Sequence, residues 1–186
     1  MLSPTGRYVV FTSEASDLVG GDTNARTDVF IRDRDIDRDG NFDESGDAAT
    51  ELISVGNGGP ANGDSGGMRS VALSSDGRFV AFASHASNLV SGDNNFNDDV
   101  FVRDRLNDTT IRVSTSDSGS EGNSASMAPS ISSDGRFVAF HSWANNLSTT
   151  PDLNADSDVF VKDLTTETQI QTTGRLRSVV VTKTVP

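Results

Sequence analysis

The chain has 186 residues, a formal net charge of −12, a hydrophobic fraction of 34%, 17 glycines and no cysteine. The acidic balance excludes a nucleic-acid groove, which needs clustered lysine and arginine, and it favours cations as partners. The lack of cysteine excludes disulfides and thiolate metal sites. No apolar run approaches the length of a transmembrane helix, so the sequence predicts no membrane span.

Two motifs each occur three times along the chain. The first reads SPTGRYVVF or SSDGRFVAF and occupies Ser3–Phe11, Ser74–Phe82 and Ser132–Phe140. The second reads DVFIRD, DVFVRD or DVFVKD and occupies Asp28–Asp33, Asp99–Asp104 and Asp158–Asp163. The step from Asp99 to Asp158 is 59 residues, and the first motif keeps nearly the same step. Such a period predicts stacked units that cannot bury their apolar faces alone.

Each repeat predicts short strands joined by turns. In the second repeat a short apolar strand leads to the Asp76-Gly77 turn, and a strand over Arg78–Ser84 follows it. Two further strands cover Asp99–Arg103 and Thr110–Ser114. Inner strands that are apolar on both faces favour radial packing of the repeats. We therefore predict an all-β chain of the β-propeller type, built from three tandem four-stranded antiparallel blades.

The chain is predicted to form one propeller-type domain, residues 1–186. Its parts are blade 1 at about 1–57, blade 2 at about 68–116, blade 3 at about 128–173 and a terminal strand at 178–184. The polar segments 56–67 and 115–126 are predicted to be surface connections. Leu2 occupies the position of Ile131, so we expect the chain to begin inside a repeat. The terminal strand either closes a blade of its own chain or adds to a neighbour's edge.

Three blades leave a propeller open, because closed rings have about four to eight blades. The chain is therefore expected to be a partial ring within a longer protein, or half of a six-bladed assembly of two chains. Self-association or further blades are the predicted partners. The ligand of such a ring, protein or glycan, is left open by the sequence.

The repeated motifs also resemble a known family. The SSDGRFVAF strand pair followed by DVFVRD is similar to the WD40-like repeat, called PD40, of bacterial propellers of the TolB type. The resemblance extends over all three repeats and implies a propeller fold. It implies little about function, because these propellers serve as interaction platforms, as accessory domains of enzymes and as catalytic scaffolds.

The loop before each DVF strand carries the pattern Asp-x-Asn-x-x-x-Asp. Its members are Asp22, Asn24 and Asp28; Asp93, Asn95 and Asp99; and Asp152, Asn154 and Asp158. Carboxylate and amide oxygens that converge in a short loop suit Ca²⁺, which takes six to eight oxygen ligands. The alternative is that these residues only make Asx turns and cap the strands. We favour the calcium interpretation of these loops.

A second acidic loop is inserted in the first repeat only. It matches the front half of an EF-hand loop, with Gly40 for the sharp turn. The predicted ligands are Asp35, Asp37, Asp39, the carbonyl of Asn41, and Asp43, with Glu44 or Asp47 as the closing carboxylate. The alternative is an acidic hairpin neutralised by Arg32, Arg34 and Arg38. We predict calcium, because seven acidic side chains between Asp33 and Asp47 repel one another without a divalent ion.

Other candidate chemistry is sparse. The sequence contains no nucleophile elbow, zinc-protease motif or phosphate loop. Four residues at strand ends form either a ligand surface on the ring or ordinary partly exposed packing: Glu14, His85, His141 and Trp143. Arginines and aspartates that recur in every repeat predict a structural ion pair within each blade. These residues are Arg7, Arg78 and Arg136 with Asp33, Asp104 and Asp163.

Together these features predict a calcium-stabilised propeller module that acts as a noncatalytic binding or scaffold domain. An extracellular or periplasmic location is expected, because loops of this kind fill where calcium is millimolar. Two alternatives remain. One is a calcium-assisted hydrolase or lactonase on a propeller scaffold, and the other is a structural subunit of an extracellular fibre or surface layer.

Overall fold

The computed structural model describes residues 1–67, 70–149 and 156–164, and the backbone of one further strand at 178–181. These residues form strands and turns without any helix, which confirms the predicted all-β class. No described helix is long and apolar enough to cross a membrane. The strands are β1 (Tyr8–Ser13), β2 (Asp28–Asp33), β3 (Ala49–Leu52), β4 (Val55–Gly56), β5 (Gly59–Pro60), β6 (Val71–Leu73), β7 (Phe79–Ser84), β8 (Asp99–Asp104), β9 (Thr109–Arg112), β10 (Ser126–Ile131), β11 (Phe137–Ser142), β12 (Asp158–Asp163) and β13 (Ser178–Val181).

The strands pair in sequence order into antiparallel meanders. The sheets have the orders β1-β2-β3, β6-β7-β8-β9 and β10-β11-β12-β13, and β4 and β5 form a small hairpin. In the first sheet Leu2 bridges to Val9, on the side where β6 and β10 lie in the other sheets. Strand β13 pairs with β12, so the terminal strand completes a blade of its own chain. The predicted end of blade 3 at 173 and the strand's last predicted residues, 182–184, lie outside the described residues.

The blades pack on each other through two buried clusters. One contains Val10 and Ile31 of the first sheet together with Val80 and Phe82 of the second. The other contains residues of the opposite face of the second sheet, such as Ala81, with residues of the third sheet. The second sheet is therefore apolar on both faces, as the strand pattern predicted.

The Asp-Gly turns also contribute to blade stacking. Gly135 has a φ of +75°, and a Cβ atom built on it lies 2.2 Å from Cδ2 of Phe79 in the preceding blade. Gly77 meets the ring of Tyr8 in the same way, at 2.3 Å. A side chain at either glycine would overlap the neighbouring aromatic ring. The recurring glycine therefore serves both the turn and the contact between blades.

The predicted ion pair inside each blade is confirmed. The distances between arginine and aspartate are 2.6 Å for Arg7 and Asp33, 2.7 Å for Arg78 and Asp104 and 2.8 Å for Arg136 and Asp163. Burial raises the pKa of Asp33, but the hydrogen bonds from the Arg7 guanidinium and the Asp35 backbone, together with the charges of Arg7 and Arg105, outweigh burial and hold that pKa below its ordinary value. These pairs connect the turn before one strand with the end of the next, so their role is structural.

Candidate functional site

The inserted loop between β2 and β3 brings three of its predicted ligands together. Oxygen atoms of Asp35, Asp37 and Asp39 all lie within 4.8 Å of one another. Asp35 is 6% exposed, and its two oxygens accept the backbone N–H groups of Asp39 and Gly40 at 3.1 and 3.3 Å. Gly40 has a φ of +92°, the left-handed turn that its position in the motif predicted.

Both candidates for the closing carboxylate face this cluster. Asp47 Oδ1 accepts the backbone N–H of Asp37 at 2.8 Å, while its Oδ2 is buried without a hydrogen-bond partner in the described part of the chain. The pKa of Glu44 is raised, first by the charge of Asp39 and then by burial and the charge of Asp37. Glu44 and Asp47 therefore lie beside the three clustered aspartates, which makes five neighbouring carboxylates, and Asp47 offers an oxygen without a partner among the described residues.

The other predicted members of the loop have different roles. Asp43 forms ion pairs with Arg34 at 2.7 Å and with Arg32 at 3.2 Å, and the Arg34 bond in particular lowers the pKa of Asp43. Asn41 donates its backbone and side-chain N–H groups to Asp39 at 2.8 and 2.9 Å. Arg38 makes no ion pair with any described carboxylate. The arginines thus neutralise Asp43 and leave the five converging carboxylates uncompensated.

In the second repeat, the predicted loop residues are parts of a hydrogen-bonded network. The amide of Asn95 donates to Asp99 at 2.8 Å and to the carbonyl of Gly122 at 2.9 Å, while its oxygen accepts the N–H of Asn97 at 2.7 Å. The amide oxygen is therefore already used in an Asx turn. This arrangement favours the turn interpretation over a calcium ligand for Asn95.

An arginine occupies the centre of that second loop. Oxygens of Asp93, Asp99 and Glu121 lie within 4.8 Å of one another. Arg112 Nη1 lies 2.6 Å from Glu121 and 3.5 Å from each aspartate. Burial, followed by the charge of Asp99, raises the pKa of Asp93 to about 6. The cluster therefore already contains a cation supplied by the chain.

The sequence interpretation did not include Glu121 and Arg112. Glu121 lies in the segment 115–126, where the composition predicted only a surface connection. Arg112 is the last residue of β9 and pairs with Phe101 across the sheet. One signal in the sequence could have identified Arg112: when the repeats are aligned, an arginine in the second repeat replaces Leu52, which has the same register in the first repeat.

The first repeat uses the same turn. The amide of Asn24 donates to Asp28 at 2.6 Å and to the carbonyl of Ala61 at 2.8 Å, and the Ser54 hydroxyl donates to the other oxygen of Asp28. Burial raises the pKa of Asp28 against the effect of these bonds. Asp22 is 6% exposed, and its Oδ1 has no hydrogen-bond partner among the described residues.

The third loop is only partly described. Asp158 is half-buried at the start of β12. Asp152 and Asn154 lie outside the described residues.

Of the four strand-end residues, only His85 lines the small polar cleft that the structure describes. His85 Nδ1 lies 3.5 Å from Asp98, and His85 lines a cleft of about 210 Å³ with Asp64 and the exposed Phe96. The ring of His141 packs edge-on against Trp143, with centroids 4.8 Å apart. Glu14 is exposed. The cleft is smaller than the usual range of about 300 to 1,000 Å³ for small-molecule pockets, so it indicates a surface contact rather than an enclosed site.

Comparison with known proteins concerns the fold. No protein-family model matches the sequence, and no curated protein matches it. TolB from Acinetobacter baumannii is 16% identical with a TM-score of 0.48, and the match covers 100% of this chain and 32% of that one. A structure described as a candidate TolB from Agrobacterium tumefaciens is 11% identical with a TM-score of 0.53, and the match covers 98% of this chain and 45% of that one. This chain thus spans less than half the length of either structure.

The stacked meanders and the Agrobacterium superposition define a β-propeller chain. The propeller fold is similar to that of the Agrobacterium structure, as the resemblance of the repeats predicted.

Proposed function

We propose that the chain is a calcium-stabilised, noncatalytic propeller module that binds further blades through its two outer blade faces. The observation that supports this most is the way in which its own blades meet. The face of blade 2 that carries Phe82 and Phe101 shares a buried cluster with Val10 and Val29 of blade 1. Each interface therefore joins the small-residue face of one blade to the phenylalanine face of the next.

The same two faces recur at the ends of the stack. In blade 1, Phe11 and Phe30 correspond to Phe82 and Phe101, and their rings stack with centroids 5.7 Å apart. In blade 3, Val159 corresponds to Val100, which is fully buried, yet Val159 is 48% exposed. Neither face belongs to a cluster between two blades in the part of the chain that the structure describes, although Phe30 itself is fully buried within blade 1.

The two outer faces are complementary to each other, because each interface between blades joins a small-residue face to a phenylalanine face. The small-residue face of blade 3 fits a phenylalanine face, and the phenylalanine face of blade 1 fits a small-residue face. Burial of apolar surface on both sides drives such packing. The occupant is therefore another propeller blade, and a second copy of this chain supplies both faces and gives six blades, within the usual range of about four to eight.

Calcium in the inserted loop is the second part of the proposal. The convergence of Asp35, Asp37, Asp39, Glu44 and Asp47 without an arginine supports it. Carboxylate oxygens of this number suit Ca²⁺, which takes six to eight oxygen ligands. A location in the periplasm or outside the cell follows from the calcium concentration that such a loop requires.

The test is the mass of the chain in solution, measured by light scattering after gel filtration in calcium. We expect twice the monomer mass for the parent chain, and the monomer mass for Phe11→Glu and for Val159→Glu. Phe96→Glu is the matched control, because Phe96 is 84% exposed and belongs to neither face. A monomeric parent whose outer faces bind no hydrophobic dye would contradict the proposal.

A further inference from the structure

The first and second repeats differ at two charged positions in an otherwise shared arrangement. In both, an asparagine amide bridges an aspartate and a backbone carbonyl, and a serine hydroxyl donates to the same aspartate. In the second repeat the guanidinium of Arg112 lies among the carboxylates and also donates to the Gly92 carbonyl at 3.1 Å. The arrangement as a whole therefore accommodates a cation.

The first repeat has no such guanidinium. Leu52 pairs with Phe30 as Arg112 pairs with Phe101, so Leu52 stands where the arginine would be. The position of Glu121 is occupied by Pro60, one residue before the carbonyl that the asparagine amide contacts. Of the four charged groups in the second repeat, the first repeat therefore keeps only the two aspartates, Asp22 and Asp28.

This pair carries uncompensated charge in a buried place. Asp28 is fully buried, and its two oxygens accept hydrogen bonds from Ser54 and Asn24 but from no charged group. Asp22 is 94% buried, since its exposed fraction is 6%, and its Oδ1 has no partner among the described residues. A buried carboxylate without a partner is costly, so a cation at this place stabilises the folded chain.

We propose that Asp22 and Asp28 bind a calcium ion in the place that the Arg112 guanidinium fills in the second repeat. The donors are all oxygens, which suits a hard cation, and two carboxylates balance a divalent charge. A place that accepts a guanidinium is roomy, which favours calcium over magnesium with its short, strict octahedral shell. The site is distinct from the inserted loop, and the two sites fail or hold independently.

The experiment counts bound calcium per chain by titration calorimetry, in a chain whose inserted loop is silenced by Asp37→Ala and Asp39→Ala. In this background Leu52→Arg supplies the missing guanidinium. We expect one calcium fewer per chain than in the background alone, and a higher melting temperature in EDTA. The reciprocal change Arg112→Leu is expected to add one calcium, with Asp93, Asp99 and Glu121 as its ligands.

Asp22→Asn provides a second route that needs no new side chain in the interior. We expect it also to remove one calcium and to raise the melting temperature in EDTA, because it removes a buried charge. Asp17→Asn is the matched control, since Asp17 is exposed, and it should leave the count unchanged. An unchanged calcium count in both Leu52→Arg and Asp22→Asn would overturn the proposal.

Discussion

Substitution of Gly135 by alanine tests how the blades hold together. Gly135 has a φ of +75°, so a Cβ atom there costs about 1 kcal/mol of backbone strain. The same atom would lie 2.2 Å from Cδ2 and 3.0 Å from Cγ of Phe79, which forces the ring to shift. Overpacking of this kind costs about 1 to 3 kcal/mol. The expected total loss in the free energy of unfolding is therefore about 3 kcal/mol.

Gly119→Ala is the matched control. Gly119 has a φ of +81°, its N–H donates to Ser116 at 2.9 Å as that of Gly135 donates to Ser132 at 2.9 Å, and its Cβ position is open. Its substitution costs only the backbone strain, about 1 kcal/mol. Urea unfolding followed by fluorescence or circular dichroism measures both losses. Equal losses for the two variants would show that the close contact between Gly135 and Phe79 contributes nothing to the stability of the blade interface.

Three further outcomes are expected. Calcium at about one hundred times its Kd should stabilise the chain by about 2.7 kcal/mol relative to EDTA, and magnesium should stabilise it much less. In melting curves, the double variant Asp37→Ala, Asp39→Ala should lose most of the calcium-induced rise in melting temperature. Asp93 has a folded pKa of about 6 against an ordinary 3.8, so the native state binds the proton more tightly. Stability should therefore fall by up to about 3 kcal/mol from this group between pH 4 and 7. Asp93→Asn should lose that slope and exceed the parent at pH 7.5 in urea titrations, and a parallel slope would contradict the assignment. Arg7→Lys should lower the free energy of unfolding by about 1 kcal/mol, because lysine cannot make the paired hydrogen bonds to Asp33. Arg136→Lys should lower it less, because Arg136 is half-exposed. Equal melting temperatures for the parent and Arg7→Lys would rule out a stabilising role for the ion pair.

The fold was predictable because short sequence patterns within each repeat indicate its strands and turns. The continuous apolar run at the start of Phe79–Ser84 and the Asp-Gly turn before it specify a strand without long-range information. The recurrence of these patterns then predicted stacking, since the inner strands are apolar on both faces. The convergence of Asp35, Asp37 and Asp39 was predictable for the same reason, because these residues follow one another within a short stretch of chain.

The network around Arg112 was not predictable in this way. Its partners Asp93 and Glu121 lie 19 residues before and 9 residues after it, and no local pattern marks them as neighbours. The segment 56–67 was likewise more than a surface connection. It contains the β4–β5 hairpin, and a Cβ atom at Gly56 would lie 2.5 Å from the carbonyl oxygen of Leu89. The only sign of this long-range packing in the sequence is a glycine, and the sequence alone does not distinguish that glycine from one in an ordinary turn.

The paired glycine and aromatic residue of each repeat have a consequence for how such a chain grows during evolution. The second repeat carries both halves of the contact, because its turn glycine Gly77 meets Tyr8 of blade 1 and its ring Phe79 meets Gly135 of blade 3, whereas Gly6 of the first repeat meets Phe42 of its own inserted loop. An in-frame duplication of the second repeat therefore yields a blade that already fits on both sides, and no second surface has to change with it. Phe137 holds the position of Phe79 in blade 3, is 39% exposed and is approached by no described glycine. Its ring marks the place where a duplicated unit would attach.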